Sequence, residues 1–115
     1  MSAIVKYIPV NKLTKARLQQ VKRQLRKKLQ GRVTSAFIFG SCSGYSFNIS
    51  SDIDLIIIKK TNKSFTKRAE EFYDLLDVFP RIDILVYTPE EFERSSKQED
   101  IGFWKTVPKQ MKRLL

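Results

Sequence analysis

Asp52 and Asp54 stand one residue apart in the chain's most apolar segment, Phe37 to Ile58, which reads FIFGSCSGYSFNISSDIDLIII. An ionised carboxylate in a dry interior costs several kcal/mol unless a partner compensates it. On a strand, side chains two apart share a face, which sets these carboxylates about 6–7 Å apart along it. That spacing suits one hard cation held between them, or two bracketed by them. Asp83, flanked by Ile82 and Ile84, is a third carboxylate in strand-like surroundings. If its strand lies beside that of Asp54, the three face one another and raise each other's pKa until a cation is bound. Paired divalent ions clamp the attacking and leaving oxygens of an in-line phosphoryl displacement. Plainer roles exist. Asp52, after Ser50 and Ser51, also suits a turn cap, and Asp83 suits an arginine partner, although Arg81 is expected on the other face.

Upstream, Gly40 and Ser41 fall where a strand ends and the chain turns. Glycine there permits close backbone approach, and a hydroxyl with successive N–H groups can cradle a triphosphate; a plain turn uses the same residues. "GSCSGYS" has neither the Lys-Ser/Thr of a P-loop nor the three-glycine dinucleotide fingerprint. Nothing near Cys42 or Tyr45 would activate either as a nucleophile.

Composition narrows the chemistry further. The 115 residues include no histidine, which removes His-ligated zinc, Ser-His and Cys-His pairs and a histidine base. The single cysteine, Cys42, cannot close an internal disulfide, which fits a reducing, cytoplasmic compartment. No apolar run is long enough to span a membrane, and no signal peptide is expected. The net charge is +10, and all of the surplus precedes Asp52. Most lies in the segment Lys12–Arg32, a surface for phosphates, nucleic acid or an acidic protein face, or a solvated helix face.

The elements that must position these groups follow from periodicity. Leu18, Val21, Leu25 and Leu29 recur at helical spacing, with Gly31 as the stop. Ala36–Phe39 and Ile53–Ile58 read as strands, the second apolar on both faces and so covered on both sides. Phe65, Ala69, Phe72, Leu76 and Phe79 form a helical stripe ended by Pro80. Ile82–Tyr87 is a third strand, and TPEEFE opens a helix with Thr88 and Glu91 as a capping box. The tail from Phe103 to Leu115 is expected to be partly helical at best. Its Phe103, Trp104, Met111 and Leu114 are available to cover the sheet or meet a partner. The expectation is one α/β (α+β) domain over residues 1–115, with a small mixed β-sheet of three or more strands flanked by helices.

"GSCSGYSFNISSDIDL" followed by "RIDILVYTPEEFE" resembles the minimal nucleotidyltransferases of the DNA polymerase beta superfamily. The resemblance covers the chain from the first strand to the TPEEF helix and implies the polymerase beta-like fold. It implies a Gly-Ser turn, Gly40 and Ser41, that binds the nucleotide phosphates, with Ser43 and Tyr45 as further nucleotide-binding positions. It also implies that Asp52, Asp54 and Asp83 are catalytic and ligate Mg²⁺, two ions in all. The glycine expected two residues after Ser43 stands instead at Gly44, so Tyr45 either stacks on a base or hinders binding. The implied activity moves a nucleoside monophosphate, AMP from ATP, onto a hydroxyl. The implied partner is a HEPN-type toxin whose tyrosine accepts the nucleotide, with this chain as antitoxin. The alternative is a non-catalytic module on the same fold that binds nucleic acid or neutralises a partner.

Overall fold

A computed structural model describes residues 14–39, 52–96 and 111–115. Thr14 opens the first helix, its Oγ1 accepting from the Arg17 N–H at 3.0 Å, and α1 runs Lys15–Leu29. Its last turn carries Arg26, Lys27 and Lys28, which complement the negative end of the helix dipole. Gly31 follows with φ +81°, a left-handed conformation that costs glycine little. Strands β1 (Ser35–Phe39) and β2 (Ile53–Ile58) come next, then α2 (Phe65–Arg68) leading into a 3₁₀ helix (Ala69–Asp77). β3 (Ile82–Tyr87), α3 (Pro89–Ser96) and the short β4 (Lys112–Arg113) complete the described elements.

The sheet order is β3-β2-β1-β4. β2 and β3 are parallel, while β1 is antiparallel to both β2 and β4. Alternation along the strands builds two apolar layers, as expected for a β2 covered on both sides. On one face Ile53, Leu55 and Ile57 pack with Leu18, Val21, Leu25 and Leu29 of α1 and with Phe72, Leu75 and Phe79. Each such buried side chain contributes about 1.5–3 kcal/mol, so this layer supplies most of the described core's stabilisation. On the other face Phe39, Ile56 and Ile58 form a smaller cluster with Phe37, Leu85, Phe92 and Met111.

One expectation is corrected. The stripe ending at Phe79 is not one α-helix: after α2 the chain tightens to 3₁₀, with a kink at Phe72 (φ −113°, ψ 15°). Three residues per turn bring Phe72, Leu75 and Val78 onto the core side, while Leu76 and Phe65 stay exposed at 36% and 42%. The end of the tail is extended rather than helical. Leu114 N–H donates to Ala36 O at 2.8 Å, and Ala36 N–H donates to Leu115 O at 3.0 Å, adding a fourth strand beside β1. Leu114 enters the core and Met111 the smaller cluster, so both cover the sheet as anticipated. Phe103 and Trp104 lie outside the described residues.

Candidate carboxylate site

The smaller-cluster face carries the chemistry-bearing residues. Ile56 and Ile58 mark that face of β2, so alternation sets Asp54 on it; Leu85 and Tyr87 do the same for Asp83. The parallel register pairs Asp54 with Asp83, and the antiparallel register pairs Phe39 with Asp54. One row across three strands therefore reads Asp83, Asp54, Phe39, at neighbouring-strand spacings of about 4.8 Å. Phe39, the last residue of β1, therefore stands beside Asp54.

The row's electrostatics are those of like charges sharing a site. Asp54 is half-buried, and its carboxyl is pushed up to about 6. Burial is the main cause, followed by the charge of Asp83, a hydrogen bond with the Asp83 carboxyl, and the charge of Asp52. Sharing a hydrogen bond relieves the repulsion that a bound cation would otherwise relieve. Asp83 itself is exposed.

Asp52, 55% exposed, stands 3.5 Å from the Arg81 guanidinium. The expectation that Arg81 turns away from the carboxylates is thereby corrected. Arg81 has the parity of Asp83, and its carbonyl accepts from the Ile53 N–H at 2.9 Å, which brings the starts of β2 and β3 together. Parity counted from Asp83 was the signal available in the sequence.

Among the described residues, no three His, Cys, Asp or Glu side chains are gathered closely enough to surround a metal ion. The donor chemistry nevertheless fits a hard divalent cation. Asp54 and Asp83 offer adjacent carboxylate oxygens, and Asp52 is a third within electrostatic reach of Asp54. The expected nucleotide-binding residues Gly40, Ser41, Ser43 and Tyr45 lie outside the described residues. The basic helix does not line the carboxylate row, because α1 packs on the opposite face of the sheet.

A family model described as nucleotidyltransferase domain matches residues 18–105, from the second turn of α1 past α3. The chain belongs to the nucleotidyltransferase domain family. Searches among curated proteins and among solved structures return no match. Family membership accords with the polymerase beta-like superfamily, nucleotidyl transfer as the general activity and a nucleoside triphosphate as substrate. The mixed sheet with its flanking helices is consistent with that fold. Asp52, Asp54 and Asp83 all fall inside the matched segment of this nucleotidyltransferase domain. Among the described residues, no helix is long and apolar enough to cross a membrane.

Proposed function

We propose that the chain moves a nucleoside monophosphate, AMP in the first instance, from a triphosphate to a hydroxyl acceptor, releasing pyrophosphate. The observation carrying this reading is the Asp54–Asp83 pairing across parallel strands in a chain of the nucleotidyltransferase family. Asp52, Asp54 and Asp83 are the residues that would hold Mg²⁺, two ions in this reading. Bound there, Mg²⁺ would neutralise phosphate charge and polarise the phosphorus for in-line attack.

The chain's own part is positioning and proton transfer. Ser41 and the backbone after Gly40 would hold the β- and γ-phosphates, with Ser43 and Tyr45 completing the nucleotide site. Asp54, half-buried on β2, fixes the place of the reacting phosphorus. Asp83, the exposed member of the pair, takes the proton of the attacking hydroxyl. The new bond joins that oxygen to the α-phosphorus, the α–β bridge breaks, and pyrophosphate leaves with the electron pair. By resemblance, the acceptor is a tyrosine hydroxyl on a HEPN-type partner, which this chain would neutralise in the cytoplasm. Co-expression with such a partner is expected to add one nucleotide to its mass, and Asp54→Asn abolishes the addition.

Calorimetric titration of ATP with and without Mg²⁺, into wild type and Asp54→Asn, tests the core of this reading. Binding that needs both Mg²⁺ and Asp54 is expected. Binding indifferent to either would sink it.

One observation favours a second reading, a non-catalytic module that binds nucleic acid. α1 carries no acidic residue, and its exposed Lys15, Arg23 and Lys27 lie on the side of the sheet away from the carboxylates. Salt-dependent RNA binding that survives Asp54→Asn, in a protein that binds no triphosphate, selects this reading instead.

A further inference from the structure

β4 holds two like charges that the fold sends to opposite faces. Met111 packs into the Phe39–Ile56–Ile58 cluster, and Leu114 is buried against α1 on the other side of the sheet. Alternation between these fixed points puts Arg113 on the carboxylate face and Lys112 on the α1 face. The ladder agrees: Arg113 stands opposite Phe37, of the smaller cluster, and Lys112 opposite Ile38, of the larger. Both side chains are exposed, and neither makes an ion pair among the described residues.

The strand is also firmly placed. Leu114 and Leu115 exchange backbone hydrogen bonds with Ala36 at 2.8–3.1 Å, and the Arg26 Nε–H donates to the Leu114 carbonyl at 3.0 Å. Two strand spacings and one two-residue step separate Asp54 from Arg113, a Cα separation of roughly 12 Å. A long guanidinium chain from one side and a polyphosphate held at the carboxylates from the other can bridge that gap.

We propose that Arg113 binds the triphosphate of the incoming nucleotide, supplying the cationic contact on the β4 side of the carboxylate row. The inference rests on the nucleotidyltransferase reading above. Guanidinium suits the task, since its planar fork meets phosphate oxygens in pairs. A competing account makes Lys112 and Arg113 edge guards, charged residues that stop β4 pairing with another chain. That account gives both residues the same role, whereas ligand binding on one face gives them different ones.

The test compares Arg113→Ala with Lys112→Ala, variants of identical net charge, in titrations of Mg²⁺-ATP and of inorganic tripolyphosphate. Arg113→Gln serves as a second variant, and circular dichroism checks folding of each. Arg113→Ala and Arg113→Gln are expected to weaken both ligands about tenfold, with Arg113→Lys recovering part of the loss and Lys112→Ala staying within about twofold. Equal weakening by the Lys112 and Arg113 variants overturns the proposal in favour of a general surface field. Unchanged affinity in the Arg113 variants, with binding lost in Asp54→Asn, overturns it while leaving the nucleotidyltransferase reading intact. Wild-type protein that binds no ATP, or an Asp54→Asn variant with full affinity, removes that reading and this inference with it.

Discussion

At the scale of single residues, Asp54 shows how a site stores instability for use. Its carboxyl is half-buried beside two others, and burial and like charge both work against its ionised form. Replacing it with asparagine keeps the shape and removes the charge. In chelator at neutral pH, Asp54→Asn is therefore expected to stabilise the protein by about 1 kcal/mol, a figure reduced for solvent screening of a half-exposed group, read from urea unfolding. A destabilised variant would mean that the carboxylate is satisfied as it stands and that no cation is wanted there. Arg81→Ala is expected to cost about 1 kcal/mol, because its 3.5 Å pair with the exposed Asp52 contributes little and its guanidinium over the Phe79 ring contributes the rest. The aspartates were legible in the sequence because carboxylates beside an apolar strand run need a reason. Parity gave the face of Arg81, but not its partnership with Asp52, which depends on how β2 and β3 align.

At the scale of elements, the α3 start joins a feature plain in the sequence to one hidden from it. The capping box is local and was readable: Glu91 N–H donates to Thr88 Oγ1 at 3.2 Å, and Thr88 N–H donates to Glu91 Oε1 at 3.0 Å. What spacing did not disclose is that Glu91 also holds Arg68, 23 residues earlier, through both guanidinium nitrogens at 2.5 and 3.1 Å. Arg68 is 8% exposed and also donates to the Val86 carbonyl at 3.2 Å. Odd-numbered carbonyls at both ends of β3, Arg81 and Tyr87, face β2, so Val86 points to the outer edge. Arg68 therefore occupies a place where another strand would pair, which protects the edge. Glu91→Ala leaves this guanidinium buried and unpaired, and is expected to cost about 3 kcal/mol, against about 1 kcal/mol for Thr88→Ala.

The same ion pair sets a pH dependence. Hydrogen bonds from Arg68 and from Thr88 pull the Glu91 carboxyl down to about 2. A carboxylate held below its unfolded value stabilises the fold above that value, near 4.5, and the contribution fades as pH falls toward 2. Wild type should lose about 2 kcal/mol across that window beyond what Glu91→Gln loses, a figure reduced for solvent screening of a side chain 30% exposed. Parallel acid titrations of the two proteins by circular dichroism would expose a mistaken assignment.

At the scale of the whole molecule, the decisive fact is that the basic helix and the carboxylate row lie on opposite faces of one sheet. α1 brings basic residues and no acid to one side, and Asp54 and Asp83 bring carboxylates to the other. The sequence showed both collections but not their separation. Helical periodicity established that α1 has an apolar stripe, and only the common burial of that stripe with Ile53, Leu55 and Ile57 says which face it covers. β4 was equally out of reach, because two residues carry no periodicity and the strand exists only through its bonds to β1. The separation has a consequence that a wall-of-the-cleft role for α1 would not share. Converting Arg23 and Lys27 together to glutamate should leave Mg²⁺-ATP affinity within about twofold, since the screened field reaches only about 10 Å at 0.1 M salt. The double variant should flatten the salt dependence of RNA binding by about two counterions, if α1 carries that binding. A tenfold loss of ATP affinity in this variant would place the basic helix in the nucleotide site. It would also overturn the two-sided arrangement on which both functional readings depend.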